Sequence, residues 1–284
     1  MFKNTLKLIS LLCLLILSFV YTDKVFSSAR ASDPLMQEVM GYKDKTDVKA
    51  VEPIIKEDEL VLGYCGVSIN EKESYKNMKD NDKFDNKKIV YDKALPKNTI
   101  SKTYDYYIKQ GNPKNNNVSI IFKVDSSDNL DSLLSWIAKT NIEANFFVDG
   151  AWLEENIETG FSIVNLGSHI YNLGYAGEYS KSSISITNNM VESITLKDSN
   201  YCLNENKNDE YKEICKKKNM HSITPTMVEP NISQLKENLV KGAIISFDVN
   251  NINISDLNLM VKTITSRGYN IKGLSEVVSE DINN

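Results

Sequence analysis

Few residues in this chain are of a type and spacing that could do chemistry. It has only two histidines, His169 and His221, and neither belongs to an HExxH arrangement. The cysteines form no CxxC pair that would point to structural zinc. There is no GxSxG turn to hold a nucleophilic serine and no glycine-rich loop to cradle phosphate. Glu154-Glu155 is an acidic pair on an expected helix, which reads as helix surface rather than a glycosidase pair. Cys202 has no base arranged to activate it as a nucleophile. Cys202 and Cys215 flank a polar stretch and either bridge across it or stay as thiols. His221, in Met220-His221-Ser222, reads as a loop residue with no catalytic role.

The elements that would position such groups sharpen after Asn117. Val118–Phe122 is a short run suited to a buried strand. Leu130, Leu133, Leu134, Ile137 and Ala138 fall on one helical face, with Asp128 and Asp131 in the first turn, where the helix dipole favours acids. Strands are expected over Ala144–Val148, His169–Leu173, Ala243–Phe247 and from Tyr269 to Ile271. Helices are expected around Ile186–Ile194 and Ile232–Val240, with another capped by Ser255 and ending at Arg267-Gly268. This alternation predicts a parallel α/β sheet or barrel. From Ser32 to residue 112 the chain is weakly patterned. Glu59–Ser68 fits one or two strands, and Asn70–Lys88 is dense enough in charge to read as loop or disorder.

The first residues resemble an export signal. Lys3 and Lys7 precede the apolar run Leu8–Val20, and Ala29-Arg30-Ala31 or Ser27-Ser28-Ala29 would supply a cleavage site. An uncleaved anchor is the alternative, and membrane association is expected through this segment alone. Cys13 lies inside the run and follows Leu12, which argues against lipid attachment. A net charge of −5 gives no electrostatic case for nucleic acid, and Lys216-Lys217-Lys218, flanked by acids, reads as solvated surface.

Five segments, in order, resemble the NodB-homology domain of polysaccharide deacetylases. Leu130–Leu134 through Asn145-Phe146-Phe147-Val148-Asp149-Gly150 is similar to the family's helix and "NVKATFFVxG" strand, with Trp152 following. Gly167–Asn172 resembles "GHEIGN", and Lys241-Gly242-Ala243-Ile244-Ile245 resembles "GSIIL". Arg267-Gly268-Tyr269 and Leu274-Ser275-Glu276-Val277 resemble the closing "GYxFVxLSEL". The resemblance implies a distorted (β/α) barrel over residues 113–282, after a signal or anchor over 1–31 and a small, poorly patterned region over 32–112.

The family's chemistry needs an Asp and two His on a divalent metal, with a second Asp as base. Here Lys123 stands at the base position and Val124 at the ligand position of "TFDDG". Leu173 and Gly177 stand where the two histidines belong, Tyr201-Cys202-Leu203-Asn204 replaces "RPPYG", and Asp248 replaces the late histidine. A protonated ammonium and an isopropyl group cannot ligate a cation. The resemblance therefore implies a degenerate, exported envelope protein with no cofactor, binding cell-wall glycan or an envelope protein partner, with a sporulation role allowed. The alternative is an active N-deacetylase with a relocated divalent-metal site, such as zinc, on Asp125, His169 and Asp248. A third reading is that the resemblance is fortuitous, which a sheet without a parallel barrel, or Gly150 and Gly242 away from strand ends, would support.

Overall fold

The computed structural model describes residues 31–126 and 129–282, with Leu12, Leu14 and Ile16–Ser18 besides. The signal segment with its cleavage sites, Cys13 and the first-turn residue Asp128 lie outside the described residues, or almost wholly so. Among the described residues, no helix is long and apolar enough to cross a membrane.

The chain divides into two units. One comprises the described residues up to Lys49 together with Gly66–Ala94, and the other comprises Ala50–Cys65 with residues from Leu95 onward. Ala50–Cys65, which lies in sequence between the two parts of the small unit, belongs to the large one because it supplies β1 (Ile54–Lys56) and β2 (Glu59–Val61) to the large sheet.

That sheet contains β1 (Ile54–Lys56), β2 (Glu59–Val61), β5 (Tyr107–Gln110), β6 (Asn117–Val124), β7 (Asn145–Val148), β8 (His169–Asn172), β9 (Tyr201–Leu203), β10 (His221–Ile223), β11 (Met227–Val228), β12 (Ile244–Asp248) and β13 (Asn270–Ile271). Its order is β1-β2-β5-β10-β9-β8-β7-β6-β12-β11, with β13 beside β6. Every pairing is parallel except β1 with β2. The sheet curls on itself: Gly111 N donates to Gly242 O at 2.8 Å, and Gln110 bridges Ala243. Gly150 follows β7 and Gly242 precedes β12, as the barrel reading requires.

The period of two along each strand separates two cores. Ile121, Phe147, Tyr171, Leu173, Tyr201 and Ile244 belong to the inner cluster. Val118, Ile120, Phe122 and Val124 of β6 belong to the outer one, packed with Leu133, Ile137 and Leu257 from the covering helices Leu130–Thr140 and Ile254–Ser266. Asn145 spans the layers: its amide donates to Ser119 Oγ at 2.8 Å, and its carbonyl oxygen accepts from Leu274 N at 2.7 Å. Each of its polar atoms has a partner, which lets a fully buried amide sit in the core.

Most of the expected elements are present, with local differences. Asn253, not Ser255, caps the helix Ile254–Ser266, since its side chain accepts from Ser255 N at 2.9 Å. His221 opens β10 instead of lying in a loop, because the short Met220–Ile223 run completes a buried parallel strand beside β9. Cys202 and Cys215 are bridged, joining β9 to the helix Asp209–Lys217 with Cα atoms 6.4 Å apart.

The small unit is more ordered than its composition suggests. Asn70 caps the helix Glu71–Lys79, with acids in the first turn and lysines in the last, so charge density supports the helix rather than opposing it. Met78 packs with Leu35, Val39 and Ile69, where β3 (Gly66–Ile69) pairs antiparallel with β4 (Tyr91–Ala94). Asp33 caps the helix Pro34–Thr46. Its carboxyl is held down to about 2 by Lys79, with Tyr75 as a second donor.

Candidate functional site

In a parallel barrel the C-terminal strand ends form the mouth where chemistry is built. Lys123, second from the end of β6, shares parity with Ile121 and so stands on the inner face. Its ammonium lies 2.8 Å from Glu205 Oε2 and 3.9 Å from Asp248 Oδ2. The other oxygen of Glu205 accepts from Ser246 Oγ at 2.6 Å. Burial opposes the charge on Lys123. The hydrogen bond and field of Glu205, with Asp248 and Glu229 adding to them, outweigh burial and raise its pKa above that of an ordinary lysine.

The surrounding loops satisfy one another. Asn204 exchanges side-chain bonds with the backbone of Asn208 at 2.8 and 2.9 Å, which fixes the loop that carries Glu205. The Cys202–Cys215 bridge spans the same loop. Asp248 accepts from Asn250 N at 2.9 Å, and Glu229 accepts from Asn251 Nδ2 at 2.9 Å. Asp125 receives a longer bond of 3.3 Å from Asn250 Nδ2. Tyr179 also feels this cluster. Burial, then the carboxylates led by Asp149, push its hydroxyl pKa up, while Lys123 works the other way.

The positions that the resemblance assigned to metal chemistry hold other structure. Val124 is fully buried in the outer core. Leu173 packs in the inner cluster. Gly177 lies in a turn at φ 73°, where its N–H donates to Asp149 Oδ2 at 2.9 Å and the Ala176 N–H donates to Oδ1 at 3.0 Å. Asp149 is thus committed to backbone amides. These residues do not fit a divalent metal: at the mouth an ammonium, not a ligand, faces the carboxylates.

Nor does the structure bring the relocated set together. His169 has the expected inward parity, stacking at 6.3 Å on Tyr171, but it begins β8, at the opposite end of the barrel. The register His169↔Asn145↔Ile121 places it four positions before Asp125, roughly 13 Å along the strands at 3.3 Å per residue. Its Nε2 pairs with Glu143 Oε1 at 3.2 Å. Among the described residues, no group of three or more His, Cys, Asp and Glu side chains is placed to hold a metal ion.

Comparison with solved structures places this geometry. BA3943 of Bacillus anthracis, described as a CE4 family pseudoenzyme, superposes with a TM-score of 0.69 over 89% of this chain and 97% of that one, at 21% identity. The chain has the family 4 carbohydrate esterase fold. The esterase PdaA of Bacillus subtilis shares it at a TM-score of 0.53, with 16% identity over 61% of this chain and 85% of that one. A curated Bacillus subtilis protein, the uncharacterised YlxY, is 29% identical over 148 residues, and the match takes in 50% of this chain and 46% of YlxY, about half its length. No family model matches the sequence.

On this family 4 esterase fold, sequence reasoning found Lys123 and Asp248 but missed Glu205, Ser246, Glu229 and Tyr179. A signal was present. A lysine on the inner face of a buried strand needs a counter-ion, and Glu205 lies just beyond the replaced "RPPYG" stretch.

Proposed function

We propose that this protein is a non-catalytic, exported envelope protein that uses the mouth of an esterase-type barrel to bind cell-wall glycan. The observation that carries this reading is the Lys123–Glu205 pair at 2.8 Å, which puts a protonated amine where the resemblance calls for the base, next to Val124 at the ligand position. A lysine whose pKa is raised is a donor, not a base, at neutral pH. Lys123 and Tyr179 can donate to sugar hydroxyls or acetamido oxygens, and Asp248 and Glu229 can accept from them. No cofactor is required for this.

The description of BA3943 as a pseudoenzyme supports the reading, as does a mutant of it described as having restored enzymatic activity. Both fit a scaffold that outlasts its chemistry. The Cys202–Cys215 bridge supports an oxidising, extracytoplasmic location.

Co-sedimentation with purified peptidoglycan tests the proposal. Binding is expected, and it should weaken several-fold in Lys123→Met without zinc-dependent release of acetate. Absence of binding, or binding untouched by Lys123→Met, would remove the mouth as a glycan site.

A further inference from the structure

The charges at the mouth do not balance. Lys123 contributes one positive charge, and Glu205 at 2.8 Å already answers it. Asp248 has only the longer contact with Lys123, at 3.9 Å. Glu229 has no cation within ion-pairing distance among the described residues, yet it is near enough to act on Lys123 through its field. Its Oε1 accepts from Asn251 Nδ2 at 2.9 Å and from Asp248 N at 3.3 Å, which holds the carboxylate in place.

These carboxylates border an opening. A cavity of about 270 Å³ lies at the C-terminal ends of β11 and β12. Glu229, Asp248 and Asp256 line it, beside an apolar wall from Phe247, Leu257 and Met260. No lysine, arginine or histidine among the described residues lines it. Asp248 belongs both to this cavity and to the Lys123 cluster, so a single ligand can touch both. Tyr179, which feels the charge of Lys123, adds an aromatic surface that is 39% exposed and backed by Tyr211 at 4.3 Å.

A cleft lined by one sign of charge concentrates ligands of the opposite sign. A neutral acetamide gains nothing from that field, whereas an ammonium does. The volume lies just below the usual range for small-molecule sites, roughly 300–1,000 Å³, which suits one ring or its substituent. Asp248 Oδ2 is 3.9 Å from Lys123 Nζ, a separation that an amine carried directly on a sugar ring spans without a flexible stem. Resting on the glycan reading of the mouth, we infer that the glycan it selects is de-N-acetylated, with a glucosamine ammonium held by Asp248, Glu229 and Asp256. Such a unit arises when an acetamide is hydrolysed to an amine and acetate, so an N-deacetylation carried out by another protein must supply it.

The test is calorimetric titration of the full chain with the glucosamine tetramer and, separately, the N-acetylglucosamine tetramer, at about pH 6, where the sugar amine is protonated. The glucosamine tetramer should bind roughly tenfold more tightly at low salt, the effect of one hydrogen bond between charged groups. Added salt should narrow the gap. Glu229→Gln combined with Asp256→Asn should bring the ratio of the two affinities close to one. Equal affinity, or tighter binding of the N-acetylated tetramer, would overturn the inference and leave the glycan reading of the mouth standing. Binding of neither tetramer would overturn both. A preference that survives the double variant would place the ammonium elsewhere and overturn the inference, as would displacement of the glucosamine tetramer by Nα-acetyl-lysine amide, which would make a peptide amine the ligand.

Discussion

The charged groups at the mouth and the uncharged polar groups at the far end of the barrel are treated differently. At the mouth, Lys123, Glu205, Ser246 and Asp248 are joined by bonds within the protein. At the far end, Ser168 Oγ, His221 Nδ1 and Ser222 Oγ are buried with no hydrogen-bond partner among the described residues. The mouth is therefore the end whose charged groups answer one another. The far end contains a cavity at the start of β8 and β9 and most of these unmet groups, while beside Tyr179 the buried Tyr211 hydroxyl is likewise without a partner among the described residues.

The largest effect expected from this contrast comes from His221. Its ring is buried and stacked at 4.0 Å on Tyr104, and burial lowers its pKa from 6.5 to about 4. Between those values the unfolded chain binds the proton and the folded chain does not, so stability falls as pH drops from about 6.5 to about 4. The full loss is roughly 3 kcal/mol at 1.36 kcal/mol per unit. Urea unfolding across that range should show the slope, and His221→Gln should flatten it. An unchanged slope in the variant would assign the effect to other groups.

The disulfide follows. It closes a loop with a sequence separation of 13, and Cys202→Ala with Cys215→Ala should cost roughly 2–3 kcal/mol in chemical denaturation. Because the loop carries Glu205, the same variant should also bring the Lys123 pKa back toward that of a free lysine, measurable by NMR titration.

Glu205→Ala should cost about 2 kcal/mol, since it strips a half-buried ammonium of its nearest partner. Lys123→Met combined with Glu205→Leu should recover most of that loss, because neither charge is then left alone. Failure of the double variant to recover would mean that the pair organises more of the mouth than its own contact. His169→Ala should cost under about 1 kcal/mol, because its pair with Glu143 is about one-third exposed on each side.

How much of this was legible in the sequence depends on range. The alternating strands and helices after Asn117 are local, periodic signals, and they locate β6, β7, β8 and β12 to within a residue or two. The three-residue β9 and β10 are too short to carry a period, so Tyr201–Leu203 read as a replaced loop and His221 as a loop residue. Ile54–Lys56 and Glu59–Val61 join the large sheet only through the distant β5, a pairing no local pattern announces. At the site, the substitutions at Lys123 and Asp248 were visible by position. Glu205 was not, because the loop that delivers it is set by Asn204, Asn208 and the disulfide. His169 was read on the correct face but the wrong end, since parity fixes the face of a strand and register fixes the end.

Under the proposed function, a lysine–glutamate pair stands where the resemblance calls for the catalytic base, and the protein performs no deacetylation. The most direct measurement is acetate release from N-acetylglucosamine oligomers by the full chain with added zinc. No release above buffer is predicted, with or without the metal. Zinc-dependent release that tracks protein concentration would contradict the account.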